Sequence, residues 1–464
     1  MDCSMSSSML SCFKDSLDFN HLDSSHCSKI DFESSFFNGV VLSYWDNILG
    51  PRLGHLWLDE DHKCSEDMVE YVVTHNLNGE LTRQAPPNSV DTKVFIIKER
   101  DLVFTSYIFT SVAQGACDTL YSLVLLLPFS ALTKYLQKQD LVDLRMKLLI
   151  AKLRLFQEKD YSTSIENFSK CLYDQIKSLS LLESLPLSNT FSVWGSAFAP
   201  GNHSCFNSEF LEKCIISHLE TFGSTVVVGK AIDQINLMMN TLALFLSEKE
   251  LCQSRYPTSD TNIEFEPDIF LQSILMKEDG SYSLNSKNIL TSRFPTTFIN
   301  LEEQRVSQSN LLAEHSSTRH QFLNIHLESI WNDNEDAPLY PVIGLFYSMN
   351  HESGMIGEFL RDIQLIPAQA TIRKAYIANF KRLIRRKALA LIKYVEDITK
   401  FGDERMKSSF LQELREQLHL KIDGDFYIVL AAAEKLRPNI YFYTLGENAT
   451  EAVYMKVLEA LELK

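Results

Sequence analysis

The sequence predicts an α+β / α/β chain of two folded units: a β-sheet with flanking helices, then an α/β module that closes in a helical half. Three observations lead there. Short β-branched and aromatic runs crowd between residues 38 and 128, divided by turn clusters. A helix–strand–helix alternation follows from Ser208. From Pro367 onward, apolar residues recur at helical spacing.

Residues 1–35 are rich in Ser, Asp, His and Cys without periodicity, which predicts a mobile extension. The stretch VLSYWDNILGPRLGHLW at 41–57 then places a tryptophan on either side of Gly50-Pro51, a hairpin-like unit. VVLSYWD, LGHLW, DTKVFIIK, DLVFTSYIF and TLYSLVLLLP read as strands, separated at Gly50-Pro51, Pro86-Pro87-Asn88 and Lys98–Asp101. Between the second and third, Met68, Val69, Val72, Val73 and Leu77 repeat as one face of a helix. Long helical patterns follow over LTKYLQKQDLVDLRMKLLIAKLRLFQEK and IENFSKCLYDQIKSLSLLE, and the first domain is assigned to 36–185.

Pro, Ser and Gly break all periodicity over 186–207, the expected linker. SEFLEKCIISHLETFG predicts an amphipathic helix with Ser208 and Glu212 as a loose N-terminal cap, and STVVVG predicts a buried strand. AIDQINLMMNTLALFLS returns to helix, residues 255–340 are less regular, and WNDNEDAP reads as an acidic loop. These make a second domain over 208–365. In the helical part, 366–464, the predicted apolar face is Ile372, Ala375, Tyr376, Phe380, Leu383, Ile384, Leu391, Val395 and Ile398. A further helix ends where Pro438 cannot continue it.

Composition narrows the function. A formal charge of −16 argues against a general nucleic-acid binder, which needs a positive surface to release counterions. Nine cysteines, odd in number and without a CxxC pair, read as free thiols in a reducing compartment. Cys12, His21, His26 and Cys27 match no tight zinc knuckle. The longest apolar run, Leu123–Pro128, is too short to span a bilayer, and the N-terminus lacks the features of a secretory signal. Asp at the second position excludes N-myristoylation. The expectation is a cytoplasmic protein.

No motif carries covalent chemistry. In GSTVVVGK, five residues separate the two glycines where a phosphate loop has four, Ala231 stands where Ser or Thr would ligate magnesium, and the interior is strand-forming. His55, His75 and His218 have no paired acid or thiol at an interpretable spacing, and Glu302-Glu303 sit in polar surroundings. No catalytic, cofactor-binding or metal-ligating residue is nominated. Two features remain as candidate partner interfaces. One is the hairpin pair Asp46 and Arg52, the arginine being set where a turn would present it outward as a finger. The other is the basic cluster Lys381, Arg382, Arg385, Arg386 and Lys387, either a solvated face or a patch for an acidic partner or anionic lipid.

Five stretches in order resemble one family: YWDNILGPR, THNLNGE at 74–80, SHLETFGSTVVVG at 217–229, RKALALIKYVED at 386–397 and AAAEKLRPN at 431–439. They are similar to DENN/longin-family proteins, in the branch of a chromosome-nine open reading frame linked to motor neuron disease and frontotemporal dementia. The resemblance implies a longin domain followed by a DENN module, with Trp45 in the sheet–helix core and Asp46 and Arg52 fixing or flanking the turn. It implies a regulator of Rab/Arf-type small GTPases in endosome–lysosome trafficking and autophagy, acting as a DENN-type guanine-nucleotide exchange factor or as a subunit of a DENN heterodimer complex. The implied partners are a second DENN-family subunit and a WD-repeat protein, with no cofactor, peripheral membrane association at most, and a possible nuclear pool. The alternatives are a scaffold subunit whose partner supplies the GTPase-activating arginine, and an α/β metabolic enzyme with an unrecognised site.

Overall fold

The computed structural model describes residues 27–32, 35–59, 66–77, 89–112, 118–180, 191–199, 202, 205–255, 263–332, 345–367, 369–400 and 406–445. The chain divides into two compact units, the first running to Ser184 and the second from Leu185.

The first unit is a six-stranded mixed sheet. Its strands are β1 (Cys27–Ile30), β2 (Gly39–Asp46), β3 (Gly50–Asp59), β4 (Val90–Ile97), β5 (Leu102–Val112) and β6 (Asp118–Pro128). They lie in the order β1-β3-β2-β6-β5-β4, antiparallel throughout except that β1 runs parallel to β3. Side chains alternate between the two faces of each strand. On one face Val41, Leu56, Leu58, Phe104, Val124 and Leu126 pack against Val69, Val72 and Val73 of α1 (Glu66–Asn76). On the other lie α2 (Leu132–Lys159) and α3 (Tyr161–Ser180). There the Thr105 hydroxyl donates to Tyr135 Oη (2.7 Å), Tyr107 Oη donates to Asp143 (2.7 Å), and Arg154 Nε donates to the Thr110 carbonyl (2.9 Å).

Two expectations change here. The extension assigned to 1–35 stops earlier, because Cys27–Ile30 is a strand on the edge of the sheet and Phe32 is buried; residues 1–26 lie outside the described residues. The core tryptophan is Trp57, not Trp45. Trp57 is fully buried, its ring 5.3 Å from Phe168 and its Nε1–H donating to Ser169 Oγ (2.9 Å). Trp45 pairs with Pro51 in the last rungs of the hairpin and is only half-buried.

The second unit is built on a five-stranded sheet, β11-β10-β9-β7-β8, of β7 (Thr225–Gly229), β8 (Leu271–Leu275), β9 (Thr297–Asn300), β10 (Arg305–Gln308) and β11 (Tyr347–Ser348). β7 runs parallel to both neighbours and is buried on both faces, Val227 in one core and Val226 and Val228 in another. That explains its uninterrupted apolar sequence. Around it stand α4 (Ser208–Glu220), α5 (Ile232–Ala243), α6 (Glu248–Cys252), α7 (Ser286–Thr291), α8 (Leu312–Trp331) and α9 (Gly354–Leu365). The helical part comprises α10 (Ala370–Thr399), α11 (Ser408–Gln417), α12 (Asp423–Leu436) and α13 (Ile440–Leu445).

Several local readings move by a residue or more. The cap of α4 is Asn207, whose side chain accepts from Glu209 N (3.0 Å), one position before the expected Ser208. Within the expected linker 186–207, Val193, Ala197, Phe198 and Phe206 are buried in the second core, so much of that segment is packed structure. Among the described residues, the irregular region 255–340 holds three strands and two helices; WNDNEDAP beyond Asn332 lies outside them. The inward face of α10 is Arg373, Ile377, Phe380, Ile384, Ala388, Leu391, Ile392 and Val395, whereas Ile372 and Leu383 are exposed.

Candidate functional site

The β2–β3 hairpin turns at residues 47–49, ahead of Gly50-Pro51, and Gly50 begins β3 with φ +81°. That left-handed backbone is where glycine carries no Cβ penalty. Asp46 closes the turn: its Oδ1 accepts from Ile48 N (2.8 Å) and Leu49 N (2.9 Å). Those two backbone N–H groups, with a smaller contribution from the nearby Arg52 charge, hold the carboxyl below its ordinary range. The tip is apolar, with Ile48 92% exposed. Asp46 therefore fixes the turn. Arg52 does not sit on the turn itself; it lies within β3 opposite Tyr44 and is half-buried.

The basic cluster divides as well. Lys381 Nζ donates to the Leu246 carbonyl (2.5 Å) and the Leu244 carbonyl (3.3 Å), just past the C-terminus of α5, and burial holds its ammonium below its ordinary range. Orphan carbonyls at a helix end attract such a cation. Lys387 Nζ likewise donates to the Leu418 carbonyl. Arg382, Arg385 and Arg386 remain exposed. The structure thus removes Lys381 and Lys387 from the patch that spacing suggested.

The histidines act as packing groups. His55 meets Ser28 Oγ (2.8 Å), His75 Nδ1 meets the Tyr71 carbonyl (2.7 Å), and His218 Nδ1 meets Thr225 Oγ1 (2.8 Å). Burial pushes His218 down to about 3, which keeps its imidazole neutral. Glu302 accepts from Lys230 N (2.8 Å) in a turn that follows β9.

Sequence reasoning missed two polar clusters. In the first unit, Asn76 Nδ2 donates to Ser43 Oγ (3.1 Å) and Ser122 Oγ (3.2 Å), and Ser122 shares a 2.7 Å bond with Ser106, tying α1 to three strands. In the second, His351 Nδ1 lies 2.9 Å from the buried Glu220 carboxylate and its ring stacks on Tyr427. Only partners distant in sequence define either cluster. Serines within the strand patterns and an asparagine closing a helix pattern were the available signal. The second unit also holds a half-open cleft of about 740 Å³, lined by Asn310, Glu314, Gln321, Met406, Tyr427 and Tyr441 among others. Among the described residues no group of three or more His, Cys, Asp or Glu could hold a metal ion.

The fold and these sites define a two-sheet α/β protein whose buried polar side chains are spent largely on internal hydrogen bonds. The chain belongs to the C9orf72-like protein family, whose pattern it matches over residues 71–315. It is 28% identical over 442 residues to the human protein named guanine nucleotide exchange factor C9orf72, covering 88% of this chain and 91% of the relative. The rat and mouse proteins, each named guanine nucleotide exchange factor C9orf72 homolog, match with the same identity and coverage. The family is the one the five sequence stretches resemble.

Proposed function

We propose that this chain regulates a small GTPase of the Rab/Arf type as a guanine-nucleotide exchange factor. The observation that carries the reading is the match to relatives named as exchange factors over nine-tenths of their length, spanning both units. The domain reading that goes with it is a longin domain over 36–185 and a DENN module over 208–365 and 366–464. The first unit supports it with a mostly antiparallel sheet covered, among the described residues, by one helix on one face and two on the other. Exchange needs no covalent step. A surface that binds the nucleotide-free GTPase more tightly than the loaded one shifts the equilibrium toward nucleotide release by that difference in affinity. The hairpin carrying Asp46 and Arg52 is the candidate contact. Action on endosomes and lysosomes, and assembly with a second DENN subunit and a WD-repeat protein, belong to the same proposal.

A scaffold role in such an assembly is the second reading. On that reading a partner, not this chain, supplies any arginine that stimulates hydrolysis. Release of a fluorescent GDP analogue from a panel of Rab and Arf GTPases, with the purified chain in excess, separates the two. Acceleration on one GTPase supports exchange. Silence across the panel, with stimulated hydrolysis only in the reconstituted assembly, sinks it in favour of the scaffold.

A further inference from the structure

Among the described residues, the outward side of α10 carries cations that make no hydrogen bond or ion pair. From Ala370 to Val395 the sequence contains no Asp or Glu, in a chain whose formal charge is −16. The cations of this helix fall into two sets. Arg373, Lys381 and Lys387 turn inward onto main-chain carbonyls of Phe198, Leu246 and Leu418. Lys374, Arg382, Arg385, Arg386 and Lys393 are exposed, with no hydrogen bond or ion pair among the described residues. Interleaved with them, Ile372, Leu383 and Leu389 are 40%, 44% and 50% exposed.

Helical geometry orders this set. At about 3.6 residues per turn, Arg382, Arg386 and Lys393 form a ridge pointing away from the buried row Ile377, Ile384 and Leu391. Ile372 and Leu383 flank the ridge on one side and Leu389 on the other, over roughly 32 Å of axis. The ridge ends at Asp397. Five exposed cations on one helix face, with scattered aliphatic side chains and no carboxylate among them, are the pattern of a basic cluster drawn to anionic headgroups. A protein partner of the same sign preference gains most from a clustered apolar anchor in a pocket, and here the aliphatic groups are dispersed. The rest of the chain is acidic, so an anionic surface repels it and orients this face inward.

We propose that the outer face of α10 docks the protein on an anionic lipid bilayer. Arg382, Arg385, Arg386 and Lys393 meet headgroup phosphates, where the planar guanidinium matches two oxygens at once. Leu383 and Leu389 enter the headgroup–acyl boundary. The proposal does not depend on the exchange reading, because it concerns where the protein sits and not what it does there.

The test is co-sedimentation of the full chain with vesicles of phosphatidylcholine alone and of phosphatidylcholine with phosphatidylserine, at low and high salt. The intact chain is expected to pellet with the anionic vesicles only, and less at high salt, because surface-potential attraction decays within a Debye length. The triple variant Arg382→Glu, Arg386→Glu, Lys393→Glu is expected to lose at least about tenfold in bound fraction, and Leu383→Ser with Leu389→Ser to lose less. All five positions are exposed, so thermal midpoints should stay at the intact value and show that the variants fold. Equal binding to neutral vesicles, no binding to either, or undiminished binding by the charge-reversed chain overturns the proposal. So does retention of lipid binding by that variant alongside loss of binding to a soluble GTPase or protein subunit, which assigns the face to an acidic protein.

Discussion

At residue scale, the two tryptophans of the first hairpin separate burial from proximity in sequence. Trp57 has an indole N–H bond and aromatic neighbours on the helix-covered face, while Trp45 lies at the hairpin's end. Trp57→Ala should destabilise the first unit by about 3–5 kcal/mol, and Trp45→Ala by about 1 kcal/mol, in urea titrations followed by circular dichroism. Equal costs would refute the assignment of the core. The pair Glu220 and His351 makes a pH prediction. The hydrogen bond to Glu220 raises His351 above its ordinary value, while burial raises Glu220 in spite of the His351 bond that pulls it down. For Glu220 burial is decisive, because its side chain is 1% exposed. Both folded-state values lie above the unfolded ones. The His351 contribution is therefore complete below its unfolded value near 6.5 and is lost as pH rises through the folded value. The Glu220 contribution declines in the same direction, starting from 4.5. The thermal midpoint should fall between pH 6 and pH 8, and His351→Asn should flatten that slope; an unchanged slope in the variant removes the pair as its cause.

At the scale of elements, α10 shows how far periodicity carries. Its length and its inward positions Phe380, Ile384, Leu391 and Val395 were readable because core residues three and four apart share a face. Leu383 was misplaced because an aliphatic residue beside the stripe looks the same in sequence whether or not a neighbouring element covers it. The cations were indistinguishable for the same reason. Lys381→Ala, which leaves the α5 end uncapped, is expected to cost about 1.5–3 kcal/mol in chemical denaturation. Arg382→Ala or Arg386→Ala should stay within about 0.5 kcal/mol. If all three behave alike, Lys381 has no capping role. Strands of four residues such as TFIN and RVSQ, and a helix such as α8 that mixes His, Ser and Thr with its apolar positions, carry too little periodic signal to be read alone.

At the scale of the molecule, two units with separate cores predict separable energetics. Gly424 is the clearest marker in the second unit, since a Cβ there would lie 2.4 Å from the Glu352 carbonyl oxygen, a backbone atom that cannot step aside. Gly424→Ala should cost about 1–3 kcal/mol. Trp57 lies in the first unit and Gly424 in the second, so the double variant should lose the sum of the two single losses to within about 0.5 kcal/mol. A larger deviation would show coupling between the cores. The resemblance read from five short stretches and the family match agree because both depend on local order along the chain. Strand runs, long helices and the lack of a recognisable reactive motif follow from local pattern, since backbone preference and side-chain periodicity act over a few residues. Which tryptophan is enclosed, which lysine caps a helix, where the edge strand Cys27–Ile30 attaches and which arginines stay open to solvent were settled by folding alone. Burial is a property of what a distant segment places alongside, and no window along the chain contains it.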